Sequence, residues 1–167
     1  MKPENRSIEA SVGELLREQG LTLATAESCT GGLIGQRLTA ISGSSDYYIG
    51  GVIAYSNAVK VAVLGVSEAM LANCGAVSDP VAEAMASGVL SHFDVDVALS
   101  TTGIAGPSGG TPEKPVGLVY IGLAVRNLPP VARAFHFEGN RDEVRMAASQ
   151  AALEMLQRHL VISKNSD

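Results

Sequence analysis

The chain has 167 residues and a formal charge of −5, with 46% apolar residues, 4% aromatics and no tryptophan. That apolar content suffices to bury a core within a single domain, 1–167, and excludes a disordered chain. The negative charge disfavours nonspecific adhesion to nucleic acid or to an anionic membrane, because neither long-range steering nor counterion release would favour it.

A core with so few aromatics must be built from Ala, Val, Leu and Ile, the usual filling between parallel strands and helices, so the composition predicts an α/β fold. Cys29 and Cys74 are the only cysteines, and neither belongs to a CxxC or a His/Cys cluster. No disulfide framework or structural zinc site is therefore expected, and a reducing compartment fits. Residues 1–9 carry Lys2, Glu4, Arg6 and Glu9 without the apolar core of a signal peptide, and no apolar run approaches membrane-spanning length. The expectation is a cytoplasmic protein.

In chain order, Ile8, Val12, Leu15 and Leu16 mark one face of a first helix, with Gly20 as its left-handed cap. The apolar run 21–26 reads as a buried strand, and Leu33, Ile34, Leu38 and Ile41 recur at helical spacing. A strand-to-helix turn is implied between them, formed by Glu27-Ser28-Cys29-Thr30-Gly31-Gly32. Such a turn leaves Ser28 and Cys29 beside unpaired backbone N–H groups, where an anion or a developing oxyanion could be held. The same residues are equally those of a plain helix cap eased by two glycines.

Residues 42–45 form a loop by composition, and 51–55 read as a second short strand. Ser56 or Asn57 then caps a helix through Val59, Val61, Ala62 and Leu64, which puts Lys60 in its first turn. An amine at the positive end of a helix dipole, especially a buried one, loses its charge more easily and becomes a candidate general base. A solvated helix lysine, with Tyr55 filling core space, is the competing reading.

A short helix follows through Ala69, Met70 and Leu71, and Asp79 as cap with Pro80 at the first helical position starts another that buries Val81, Met85, Val89 and Leu90. Residues 95–99 read as a strand running into a loop, Ser100 to Pro107, whose hydroxyls and glycines suit phosphate at the carboxyl end of an α/β sheet. Residues 116–125 and 131–137 alternate as two strands of an antiparallel hairpin joined through Pro129 and Pro130. The sheet is therefore expected to be mixed. A final helix starts near Gly139-Asn140, with Arg141 and Arg145 in its first turns; an anionic ligand or surface pairing with Asp142 and Glu143 would each account for them. His92, His136 and His159 fall on helix, strand and helix without a catalytic setting.

These segments together resemble the CinA carboxy-terminal domain family. The resemblance is carried by 26–32 (Ala-Glu-Ser-Cys-Thr-Gly-Gly), 43–45 (Gly-Ser-Ser), Tyr55-Ser56-Asn57 with Lys60, 75–78 (Gly-Ala-Val-Ser), 103–110 (Gly-Ile-Ala-Gly-Pro-Ser-Gly-Gly), 114–117 (Lys-Pro-Val-Gly), and Gly139-Asn140-Arg141 with Val144-Arg145. It spans almost the whole chain in order.

What the resemblance implies is a three-layer α/β/α sandwich with a mixed, mostly parallel sheet, in a homo-oligomer. The implied activity is hydrolysis of the carboxamide of nicotinamide mononucleotide to nicotinate mononucleotide and ammonia, with no metal and no cofactor. Ser28 matches the nucleophile, Lys60 its base, and Tyr55 a group close to both. Thr102 stands where the familiar motif has serine, and keeps its hydroxyl. Activity of the larger domain that precedes this module in longer family members is expected to be absent.

The chemistry expected of these residues is a Ser-Lys hydrolase. Cys29, Thr30, Gly31 and Gly32 supply the turn that holds the oxyanion. Thr102, Gly103, Ile104, Ala105 and Gly106, with Arg141 or Arg145, bind the phosphate of a small nucleotide. Cys29 is the alternative nucleophile. A noncatalytic nucleotide-binding or adaptor module connected with competence or DNA damage is the alternative function, and nucleic-acid and membrane partners are not expected.

Overall fold

The structure is a computed structural model that describes residues 6–165. Residues 1–5, on which most of the signal-peptide expectation rests, lie outside it. The first helix, α1 (Ile8–Gln19), is capped by the Ser7 hydroxyl, which accepts from the Ala10 amide at 3.3 Å, and ends at Gly20 with φ 65°. Strand β1 (Leu23–Glu27) is buried along its whole length and leads through the expected turn into α2 (Leu33–Thr39). A 3₁₀ turn at Ser44–Asp46 precedes β2 (Tyr48–Ile53), and α3 (Asn57–Leu64), α4 (Glu68–Cys74) and α5 (Asp79–Phe93) follow in succession. Strand β3 (Val97–Gly103), the hairpin β4 (Leu118–Val125) and β5 (Val131–His136), and the long helix α6 (Arg141–Lys164) complete the chain.

The five strands lie in the order β2-β1-β3-β4-β5. β1 runs parallel to both β2 and β3, while β4 is antiparallel to β3 and β5 to β4. The chain leaves β1 toward β2 on one side and returns past it to β3 on the other. The carboxyl end of β1 is therefore the switch point at which open α/β sheets form a crevice.

Alternation along the strands separates two cores. Leu23, Leu99, Val119 and Ile121 face α1, α2 and α6, whereas Ala24, Ala26, Ala98 and Ala124 face α3 and α5. This is the three-layer α/β/α arrangement with a mixed sheet. The alanine face lets α5 approach closely: a Cβ built on Gly122 would stand 2.5 Å from the Ala82 carbonyl oxygen of α5.

Three boundaries differ from expectation. β2 ends at Ile53, so Tyr55 lies beyond the strand. α5 begins at Asp79 with Ser78 as its cap residue; the Ser78 hydroxyl donates to the Gly75 carbonyl at 2.8 Å and makes no cap bond. β3 continues through the hydroxyl-rich run that reads as a loop. The sheet tolerates Ser100 and Thr101 because their hydroxyls find buried partners, Ala82 O at 2.6 Å and Thr30 Oγ1 at 2.8 Å.

Candidate active site

Ser28 follows the last residue of β1 and stays tied to the sheet, its amide donating to Thr101 O at 3.0 Å. The turn closes through Gly31 N–H to Ser28 O at 3.1 Å, and Gly31 and Gly32 take φ values of 60° and 98° that only glycine adopts without strain. Glu27 changes the expected electrostatics. Its buried carboxylate accepts from the Ile34 amide at 2.9 Å and the Gly35 amide at 3.1 Å, so these first-turn donors of α2 are already engaged. The open amides lie earlier, at Cys29 and Thr30, which have no backbone acceptor among the described residues.

Lys60 reaches this turn from the neighbouring βα junction. β1 and β2 lie side by side with Glu27 opposite Ile53, and the Ala54 amide donates to Glu27 O at 2.8 Å. The Ser56 hydroxyl caps α3 by accepting from Val59 N at 3.3 Å, which fixes Lys60 one turn into the helix. Its Nζ lies 3.1 Å from Ser28 Oγ, 2.9 Å from Ala54 O and 3.4 Å from Tyr55 O. Lys60 is 2% exposed and takes part in no ion pair among the described residues. All its hydrogen-bond partners are neutral oxygens. Burial pushes its pKa below the ordinary lysine value, against a smaller opposing effect that Cys29 exerts only as a thiolate.

Cys29 has a different environment. Its side chain packs into the core shared with α2 and α6, and burial pushes its pKa up to about 11, so it is a protonated thiol near neutral pH. Ser28 is 8% exposed and borders a cleft of about 210 Å³, whose walls include Lys60, Asn57, Ala76, Thr102 and Arg141. Gly103 and Ala105 also border it.

The remaining expected site residues divide into wall and brace. The Thr102 hydroxyl donates to Ala76 O at 2.7 Å, tying β3 to the loop before α5. Lys114 Nζ holds the same loop by donating to Cys74 O at 2.7 Å. Lys114 was not among the expected site residues; its signal was its place in the 114–117 segment that carries the family resemblance. The Ile104 amide donates to Leu118 O at 2.9 Å and the Gly106 carbonyl accepts from Arg141 at 2.9 Å, while the Ala105 and Gly106 amides have no backbone acceptor among the described residues.

Arg141 also reaches the Tyr55 hydroxyl at 3.0 Å. Tyr55 borders the same cleft but is 61% exposed and lies outside the core; its carbonyl faces the Lys60 amine, while its hydroxyl is bonded to Arg141. Arg145 grips the turn from above, donating to Cys29 O at 3.2 Å and Thr30 O at 2.9 Å, with Asp142 3.7 Å away. It is a brace for the Ser28 turn, and Arg141 is the arginine on the cleft wall. His92, His136 and His159 do not border the cleft. Among the described residues no group of three His, Cys, Asp or Glu side chains is placed to hold a metal, and no helix is long and apolar enough to cross a membrane.

Fold and site define a three-layer α/β/α domain whose switch-point crevice brings a serine hydroxyl against a buried, uncompensated lysine amine. The chain belongs to the CinA C-terminal domain family, whose model matches residues 5–160. A CinA-like protein of Trichormus variabilis is 54% identical over 157 residues, covering 93% of this chain and 38% of the relative. The chain thus spans under two fifths of that relative's length. Among solved structures, the competence/damage inducible protein CihA of Agrobacterium tumefaciens aligns with TM-score 0.85 at 41% identity, covering 93% of this chain and 97% of that one. A CinA superfamily protein of Klebsiella pneumoniae aligns with TM-score 0.89 at 32% identity over 92% and 96% of the two chains.

Proposed function

We propose that the domain hydrolyses the carboxamide of nicotinamide mononucleotide to nicotinate mononucleotide and ammonia, with Ser28 as nucleophile and Lys60 as its base. The observation that carries this reading is the 3.1 Å approach of Lys60 Nζ to Ser28 Oγ, made by a buried lysine without an ion-pair partner. A neutral amine at that distance accepts the hydroxyl proton as Oγ attacks the carboxamide carbon. The carbonyl oxygen becomes an oxyanion within reach of the Cys29 and Thr30 amides. The tetrahedral adduct then collapses, the C–N bond breaks, and the proton held by Lys60 leaves with ammonia. Water, deprotonated by the same amine, hydrolyses the acyl ester and restores Ser28.

The substrate class comes from the family resemblance, and the cleft agrees with it: a guanidinium on the wall suits a phosphate, which would take the place of Tyr55 on Arg141. The resemblance also supports a cytoplasmic homo-oligomer that acts on a small nucleotide without nucleic-acid or membrane partners.

The test is ammonia release from nicotinamide mononucleotide by the purified protein. Ser28→Ala and Lys60→Met should each lower kcat by about a thousandfold or more, whereas Cys29→Ala should keep it within severalfold. Full activity in Ser28→Ala with loss in Cys29→Ala would move the nucleophile to the thiol. Nucleotide binding without turnover by the unaltered protein would favour a noncatalytic nucleotide-binding module.

A further inference from the structure

Beneath the Ser28 turn lies a buried polar chain that the hydrolytic step itself does not use. Thr30 and Thr101 are 0% exposed and Glu27 is 2% exposed. The Thr30 hydroxyl stands 2.6 Å from Glu27 Oε1 and 2.8 Å from Thr101 Oγ1. A hydroxyl has one proton, and the carboxylate can only accept it. Thr30 therefore donates to Glu27, and Thr101 must donate to Thr30. The chain has a single direction, from β3 through the turn to the carboxylate, and the carboxylate is itself fixed by the Ile34 and Gly35 amides of α2.

This chain and Arg145 hold the same residue from two sides. Arg145 takes the carbonyls of Cys29 and Thr30, while Glu27 and Thr101 take the Thr30 side chain. In a trans peptide unit the C=O and the following N–H point in opposite directions. Anchoring the Cys29 carbonyl on Arg145 thus turns the Thr30 N–H away from the guanidinium. Fixing the Thr30 hydroxyl below keeps that peptide unit from rocking. The Thr30 N–H, one of the two amides without a backbone acceptor, has its direction set in this way; the other, the Cys29 N–H, lies in the peptide unit whose Ser28 carbonyl accepts from Gly31 in the same turn.

We infer that Glu27 is a positioning residue: acting through Thr30, it holds in place the turn that carries the Cys29 and Thr30 amides toward the oxyanion. The inference rests on the hydrolytic reading of the site. Glu27 touches no reacting atom. It sets the angle at which donors on the next turn meet developing charge, where misplacement by about 1 Å costs on the order of a hundredfold in rate.

The test compares Thr30→Val, which keeps shape and removes the hydroxyl, Thr30→Ser, which restores it, and Glu27→Gln. The measurements are ammonia release and backbone ¹⁵N order parameters across 28–35. Thr30→Val should lower kcat roughly ten- to a hundredfold with KM nearly unchanged. The order parameters of Cys29 and Thr30 should fall from about 0.85 toward 0.6, while those of α5 stay fixed. Thr30→Ser should recover both, and Glu27→Gln should resemble Thr30→Val, with the double variant no worse than either single one. A folded Thr30→Val with unchanged kcat and order parameters overturns the inference, as does a Thr30→Ser no better than Thr30→Val. If the unaltered protein releases no ammonia, the hydrolytic reading falls alone, because the order parameters still decide whether Glu27 and Thr30 hold the turn.

Discussion

A lysine amine that is 2% exposed and meets only neutral oxygens cannot hold a proton as firmly as one in water. Its folded-state pKa is lowered by burial, whereas in the unfolded chain it returns to its ordinary value. Between those two values the unfolded state binds more protons than the folded one, so stability rises with pH across that window. Below the lowered value the burden of a buried charge is at its greatest, and above the ordinary value the gain is complete. Urea midpoints between neutral pH and about pH 10 should therefore climb more steeply in the unaltered protein than in Lys60→Met, which has no amine to titrate. Identical slopes would mean that the amine is solvated in both states. The same titration governs the proposed chemistry in the same direction, since only the neutral amine can take the Ser28 proton.

Helix α5 illustrates how an element, rather than a residue, shapes the cleft. It packs on a sheet face made of Ala24, Ala26, Ala98 and Ala124, and its Ala82 carbonyl accepts a hydrogen bond from Ser100 Oγ at 2.6 Å. So close an approach needs strands without bulk at that point. It also brings the start of α5 to the carboxyl ends of the strands, where Thr102 and Lys114 tie down residues 74–76 as one wall of the site. A methyl group at Gly122 would stand 2.4 Å from Ser100 Oγ and 2.5 Å from Ala82 O, neither of which can retreat without breaking their shared bond. Gly122→Ala should cost about 1–3 kcal/mol in urea unfolding through overpacking. Gly20→Ala, where nothing lies within 4 Å, should be destabilising only through its φ of 65°. A Gly122→Ala protein as stable as the parent would show that α5 floats on the sheet instead of being seated on it.

At the scale of the whole molecule, what was legible in the sequence was what is local. Apolar periodicity and caps mark α1, α5 and α6, alternation marks the β4–β5 hairpin, and Ser28 and Lys60 each stand out at a βα junction. Their meeting was not legible, because it depends on β2 lying beside β1, a pairing between segments distant in sequence. The role of Arg145 depends likewise on α6 lying over a turn more than a hundred residues earlier. The buried hydroxyls of β3 were misread for the same reason: their partners, Thr30 and Ala82, belong to other elements. The sheet joins these distant pieces and also divides the interior into two cores that share strands but face opposite ways. Ile121 belongs to the core under α6 and Met85 to the core under α5, each with 0% exposure. Ile121→Val should cost about 0.5–1.5 kcal/mol and Met85→Ala about 2–5 kcal/mol. Since the two side chains sit in separate clusters, the double variant should lose the sum to within about 0.5 kcal/mol. It should do so in one cooperative transition, because neither core survives without the sheet between them. Two resolved transitions by far-UV circular dichroism would mean that one layer can melt while the other, with its half of the cleft, stays folded.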